Sequence, residues 1–104
     1  MRAKLTMLAL SAALGVLAHA GAALAADPVK GEELAAMWCK SCHVITIDQE
    51  RASADAPTYP WLAENRTTEA LELFLAQPHS TMPTGALTPG EIRDIVAYIM
   101  TFKK

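Results

Sequence analysis

The sequence predicts an all-α domain of about four helices behind an N-terminal export segment. Two helix starts carry strong signals. Asp27-Pro28 places an N-cap residue before a proline at the first helical position, and Thr88-Pro89-Gly90-Glu91 is a capping box with the same placement of proline. After each start, apolar residues recur at spacings of three and four, which is the pattern of one helix face. The intervening sequence shows no alternation of strands and helices.

Residues 1–25 have the pattern of a cleavable signal peptide. Arg2 and Lys4 form a short positive start, a long uncharged run rich in Leu and Ala follows, and Ala23-Leu24-Ala25 supplies the small residues that signal peptidase needs. We expect cleavage after Ala25, which leaves residues 26–104 as one domain of 79 residues in the periplasm. The alternative is a retained membrane anchor, because a run of roughly 20 apolar residues can span a bilayer.

The expected mature chain is acidic and small. Loss of Arg2 and Lys4 leaves seven basic residues against eleven acidic ones, a net charge of −4, which argues against nucleic acid or an anionic membrane surface as a partner. A domain of this length usually needs a disulfide, a metal or a cofactor to complete its core. The two cysteines stand three positions apart, so a disulfide between them would close a very small loop and constrain the unfolded chain little. A cofactor is the better candidate.

The first predicted helix runs from Asp27-Pro28 to near residues 40–42, and residues 44–58 then form an irregular loop. The apolar loop residues Val44, Ile45 and Ile47 would suggest a strand on their own, but no partner strand is visible, so we expect them to pack on the core. One face of the first helix carries the residues Gly31, Leu34, Ala35 and Trp38.

Three further helices are predicted. Pro60 opens a short one that contains Trp61 and Leu62. The next begins near Thr67 or Thr68 and stops before Pro78, because the residue before a proline disfavours helix. Residues 77–87 form a loop, and the last helix follows the capping box. Its apolar face carries the residues Ile92, Ile95, Val96, Ile99 and Met100.

The strongest chemical signal is Cys39-Lys40-Ser41-Cys42-His43, a C-x-x-C-H motif for covalent attachment of a c-type haem. Two thiols at this spacing can add to the two vinyl groups on one porphyrin edge and form thioethers. The histidine that follows the second cysteine then lies at the iron as the proximal ligand. Haem attachment occurs outside the cytoplasm, so the motif and the export signal support each other.

The motif has two other interpretations. A thioredoxin-type redox pair requires a βαβ scaffold, and the chain has no such alternation. A zinc site formed by Cys39, Cys42, His43 and His79 has the right number of ligands, but the adjacency of Cys42 and His43 makes tetrahedral geometry awkward.

The chain resembles the small class I c-type cytochromes over residues 27–104. Besides the C-x-x-C-H motif, the matching pieces are Gly31, eight positions before Cys39, then Thr81-Met82-Pro83 and Ile95-Val96-Ala97-Tyr98-Ile99. The resemblance implies one covalent haem wrapped by the helices, with the N- and C-terminal helices crossing at Gly31 and Tyr98. It also implies that a proline carbonyl accepts the N–H of the axial histidine, and Pro57 is the best match. The chain departs from the family at Ala35, where many members have an aromatic residue.

The sixth iron ligand is predicted to be Met82. Met37 lies on the helix that leads into the motif, and Met100 lies at a core position of the last helix, whereas Met82 lies in a loop bounded by prolines. A thioether is a soft ligand, and Met/His coordination raises the haem potential. His79 is the rival ligand, and a further alternative is that Met82 only fills space in the loop.

Three side chains are candidates to hydrogen-bond the haem propionates: Tyr59, Trp61 and Arg66. Core packing is the plain alternative for the two aromatic residues, and a solvated surface charge is the alternative for Arg66.

If protein side chains occupy both axial positions of the haem iron, no substrate can reach the iron, so we expect an electron carrier and not an enzyme. Redox proteins, as donor and acceptor, would dock transiently on residues around Lys40, Ser41, His79 and 84–86, and no small-molecule substrate is expected. The alternatives are a haem enzyme or gas sensor with a labile sixth site, and a cytochrome subunit of a larger oxidoreductase.

Overall fold

The computed structural model describes residues 25–77 and 84–104, and this part of the chain is helical with no strand. The prediction of an all-α fold is therefore confirmed, and the scaffold that a thioredoxin-type site needs is not present in the described residues. The four α-helices are α1 (Pro28–Trp38), α2 (Tyr59–Asn65), α3 (Thr68–Leu75) and α4 (Pro89–Met100), with a short 3-10 helix at Thr84–Ala86.

Both predicted helix caps are formed. The Asp27 carboxylate accepts hydrogen bonds from the backbone N–H groups of Val29, at 2.9 Å, and Lys30, at 3.3 Å. At the start of α4, Thr88 Oγ1 accepts from Glu91 N at 3.2 Å, and Glu91 Oε1 accepts from Thr88 N at 2.9 Å. These bonds satisfy N–H groups that have no partner within the first turn of a helix.

Threonines cap the two short helices in the same way. Thr58 Oγ1 accepts from Trp61 N at 3.3 Å, and Thr67 Oγ1 accepts from Ala70 N at 3.1 Å. The helix expected to open at Pro60 begins one residue earlier, with the proline inside its first turn. Proline is tolerated there because its missing N–H would lack a helical partner anyway.

Helices α1 and α4 cross at Gly31, as expected. A Cβ atom on Gly31 would meet the carbonyl group of Asp94, with the carbonyl carbon at 2.5 Å, and would lie 2.9 Å from Cβ of Tyr98. Only glycine permits this approach, because any side chain would occupy space that the Asp94 backbone already fills. Asp27 N donates to Asp94 Oδ1 at 2.8 Å and ties the start of α1 to the middle of α4.

The core is formed mainly by α1 and α4, with α2, α3 and the loop after the haem motif packed against them. Tyr98 joins the loop to α4, since its hydroxyl donates to the carbonyl of Ile45 at 2.6 Å inside the protein. The buried apolar residues are Leu34, Ala35, Ile45, Tyr59, Ala63, Leu71, Leu75, Ile92, Ile95, Val96, Tyr98 and Ile99.

Two apolar residues differ from the expectation. Ile45 is buried, with 1 % of its surface exposed, but Ile47 is 89 % exposed and does not pack on the core. An extended chain would place both isoleucines on the same side, but the chain bends at residue 46 and turns at residues 47–48, which breaks that register. Trp38 shares a helix with the buried Leu34 and Ala35 but is 40 % exposed at the end of α1. Among the described residues, no helix combines the length and the apolar character needed to cross a membrane.

Candidate functional site

The C-x-x-C-H motif lies at the C-terminal end of α1, where the chain leaves the helix in a tight turn. Cys39 caps the helix, and its backbone N–H donates to Ala35 O at 2.8 Å. The backbone N–H of Cys42 and that of His43 both donate to Cys39 O, at 3.1 and 2.8 Å. This turn brings both cysteines, which are free and half-buried, next to the histidine that follows them.

His43 is buried, with 8 % of its surface exposed, and its ring is oriented by the loop that follows. Nδ1 lies 2.6 Å from the carbonyl oxygen of Pro57. A carbonyl oxygen only accepts hydrogen bonds, so Nδ1 carries the proton in this bond, and the neutral form of the ring then has its lone pair on Nε2. That tautomer is the one a histidine needs in order to bind a metal through Nε2, and the partner of Nδ1 fixes the orientation of the ring.

Tyr59 lies between the motif and the core. Its ring centroid is 5.8 Å from that of His43 and 6.0 Å from that of Tyr98. Burial raises the pKa of the Cys39 thiol, and a hydrogen bond with Tyr59 partly offsets this effect. Burial also raises the pKa of Tyr59 far above its ordinary value, and the neighbouring Cys39 adds to the increase. The Tyr59 hydroxyl is therefore a neutral hydrogen-bonding group beside the first attachment cysteine.

Trp61 on α2 and Arg66, the residue that caps the end of α2, form a second, more exposed group. The guanidinium carbon of Arg66 lies 4.9 Å from the centroid of the Trp61 ring, a cation–π arrangement, and Arg66 Nη1 donates to Asn65 O at 2.9 Å. The structure brings these two residues together and separates them from the buried Tyr59. Their predicted role toward the propionates stays a prediction.

Gln49 is a feature of the site that the sequence reasoning missed. Its side-chain amide contacts backbone groups on both sides of His43, namely those of Lys40, His43, Ile45 and Arg51. A single glutamine in a polar loop gives no signal in the sequence, because its partners are main-chain atoms, which every residue has.

The predicted sixth ligand Met82 and its rival His79 lie in residues 78–83, outside the described residues. Of the residues that flank this segment, Thr84 donates through Oγ1 to Gln77 O at 3.3 Å. Thr84 is buried, so its inclusion in the docking patch was wrong: its hydroxyl is turned inward to this bond. Lys40, Ser41, Gly85 and Ala86 are exposed.

The described residues fit a covalent haem. Two cysteines outside any disulfide stand at the sequence spacing of the attachment motif, and a histidine whose Nδ1 is held by Pro57 O follows directly. Within residues 25–77 and 84–104, no three His, Cys, Asp or Glu side chains are grouped to hold a metal ion. A helical domain with crossing terminal helices and this motif belongs to the class of c-type cytochromes.

Comparison with known proteins gives the same family. The family model described as Cytochrome c matches residues 28–103, and the chain belongs to the cytochrome c family. It is 43 % identical over 88 residues to a cytochrome c-552 of Bradyrhizobium diazoefficiens, a match that covers 83 % of this chain and 85 % of that protein. No solved structure matches the chain. The chain is thus a haem-based electron-transfer protein with covalent haem c.

Proposed function

We propose that residues 26–104 form a periplasmic electron carrier whose single haem iron is bound by His43 and Met82, with Cys39 and Cys42 as the thioether residues. The bound haem supplies the one-electron change between ferric and ferrous iron. The observation that carries the proposal is the bond between His43 Nδ1 and Pro57 O at 2.6 Å, because it leaves Nε2 as the ligand atom.

The other methionines of the mature chain are poor candidates for the sixth ligand. Met37 is 68 % exposed on α1, the helix that leads directly into the attachment motif. Met100 is half-buried at the end of α4 and packs against the core. Met82 therefore remains as the methionine candidate, and the residues that flank its segment, Gln77 and Thr84, are joined by a hydrogen bond.

Substitution of Met82 tests the sixth ligand. A thioether–iron bond gives the ferric protein a far-red charge-transfer band. In the Met82→Ala variant we expect this band to be lost and the midpoint potential to fall, because Met ligation favours ferrous iron. His79→Ala is the matched control from the same loop and should keep both properties. The proposal is wrong if the band is lost only in His79→Ala while Met82→Ala is silent.

The rate at which the reduced protein binds carbon monoxide distinguishes an electron carrier from a haem enzyme or gas sensor. When protein side chains fill both axial positions, the reduced native protein should bind carbon monoxide slowly or not at all at neutral pH. The Met82→Ala variant, with one position opened, should bind it rapidly. Rapid binding by the native protein would instead favour the enzyme or sensor.

Export and cleavage after Ala25 are supported by the positions of the first structural contacts. The α1 cap at Asp27 and its bond to Asp94 both lie beyond the cleavage point, so processing removes neither contact. N-terminal sequencing of the protein from a periplasmic fraction should begin at Ala26. An intact N-terminus in the membrane fraction would show that the leader is an anchor.

The exposed residues Lys40, Ser41, Gly85 and Ala86 are the proposed contact area for redox proteins. Such encounters bury little surface and are short-lived, as rapid turnover of donor and acceptor requires. Size-exclusion chromatography of the native periplasmic protein separates a free carrier from a subunit of a larger oxidoreductase.

A further inference from the structure

We infer that Gln49 is a positioning residue for the haem ligand: its side-chain amide fixes the main chain on both sides of His43. This inference rests on the proposed role of His43 as the proximal ligand. Residues 44–58 contain no helix or strand, so their backbone groups need other partners. Gln49 provides several of these partners at once.

The amide of Gln49 has one possible orientation. Its Oε1 faces Ile45 N at 3.0 Å, and a backbone N–H can only donate. Its Nε2 faces three carbonyl oxygens, which can only accept: those of His43 at 3.0 Å, Lys40 at 3.1 Å and Arg51 at 3.3 Å. Two N–H bonds serve three acceptors, so one hydrogen is shared. Every polar atom of the side chain is thus used to hold backbone.

These contacts surround the axial histidine. Gln49 binds the carbonyl of His43 and the N–H of Ile45, two residues further on. The third backbone partner, Lys40 O, lies between the two attachment cysteines. The N–H of His43 is held by Cys39 O at 2.8 Å, and its ring is held by Pro57 O. Gln49 therefore completes a set of bonds that fix the position and direction of the His43 backbone.

Gln49 also holds the part of the loop that packs on the core, at Ile45. Ile45 is 1 % exposed, and its carbonyl accepts from the Tyr98 hydroxyl. The backbone N–H of Ile45 donates to Gln49 Oε1 and would lose this acceptor if Gln49 were truncated. The same side chain thus links the buried anchor of the loop to the carbonyl of the haem ligand.

The test compares three variants of the holoprotein. Gln49→Ala removes every contact, and Gln49→Glu keeps an acceptor for Ile45 N but has no donors for the carbonyls. Ile47→Ala is the control, since Ile47 lies on the same loop with 89 % of its surface exposed. The measurements are the midpoint potential, the NMR resonance of the His43 ring N–H in the reduced protein, and hydrogen exchange of the Ile45 amide.

In Gln49→Ala we expect a changed potential, a shifted His43 ring resonance and roughly tenfold faster exchange at Ile45, because exchange follows local opening of the loop. In Gln49→Glu the Ile45 amide should stay protected while the other two signals change. Ile47→Ala should match the parent in all three. If Gln49→Ala does not accumulate as holoprotein, Gln49→Glu carries the test through the potential and the ring resonance.

The inference is overturned if the variants measured keep the parent potential and His43 ring resonance, even where their unfolding midpoint falls, because Gln49 would then only stabilise the loop. Failure of the ligand assignment is seen separately. In that case the parent protein itself shows no His43 ring protons shifted by the haem, whatever Gln49 does.

Discussion

Because α1 and α4 cross so closely at Gly31, the substitution Gly31→Ala should lower the free energy of unfolding substantially, although it adds only one methyl group. In an ordinary helix this change stabilises a protein by about 0.5–1 kcal/mol. Here the new Cβ would lie 2.5 Å from the carbonyl carbon of Asp94 and 2.9 Å from Cβ of Tyr98. Neither atom can rotate away, because one belongs to the backbone and the other is fixed to it.

The cost follows from the distance that the helices must move. Carbon atoms pack best at roughly 3.5–4 Å, so α1 and α4 must separate by about 1 Å. Overpacking a tight interface costs roughly 1–3 kcal/mol, and this crossing lies at the centre of the core, so we use about 3 kcal/mol. After subtracting about 1 kcal/mol of helix propensity, the expected loss is about 2 kcal/mol. For a domain of this size that lowers Tm by about 8–16 °C.

Guanidinium unfolding of the ferric holoprotein, followed by circular dichroism, measures this loss. Gly90→Ala is the matched control, because Gly90 also lies in a helix and a Cβ there has no neighbour closer than 3.9 Å. That variant should be as stable as the parent or up to about 1 kcal/mol more stable. Equal midpoints for Gly31→Ala and Gly90→Ala would refute the reasoning.

Two further predictions concern single hydrogen bonds. Tyr98→Phe leaves the Ile45 carbonyl without its buried donor at 2.6 Å while keeping the ring, so the free energy of unfolding should fall by about 1–2 kcal/mol; a fall below about 0.3 kcal/mol in chemical unfolding would contradict this. Hydrogen bonds with the Thr88 backbone and side chain hold the pKa of Glu91 below its ordinary value. The ionised Glu91 carboxylate therefore stabilises the fold fully at pH values above the ordinary pKa, and this stabilisation is lost as the pH falls through the lowered pKa. The stability difference between the parent and Glu91→Gln, measured by unfolding at several pH values, should therefore shrink on acidification, and a constant difference would exclude this linkage.

The helix starts could be predicted from sequence to within one residue because their causes are local, whereas α1 ends at Trp38 and not near residues 40–42, which form a turn. The caps at Asp27 and Thr88 and the prolines that follow act within one helical turn, so neighbouring residues define them. The attachment motif is equally local, since its chemistry requires one fixed spacing.

The loop after the motif could be predicted only in part, because tertiary contacts decide its path. Ile45 and Ile47 have the same side chain, but one is buried and the other is exposed. The difference depends on the Tyr98 hydroxyl and the Gln49 amide, and both hold backbone groups of the buried residue. Pro57 was expected from the family resemblance alone, and its carbonyl does lie at the His43 ring.

The crossing of α1 and α4 also has a consequence for the order of events during biogenesis. The bond from Asp27 to Asp94 spans 67 positions, so the crossing cannot form until nearly the whole chain has been made and its ends have met. Cys39 and Cys42 follow α1 directly and are present long before α4. Docking of the last helix on α1 is therefore a late step, which follows synthesis of the segment that contains both thiols.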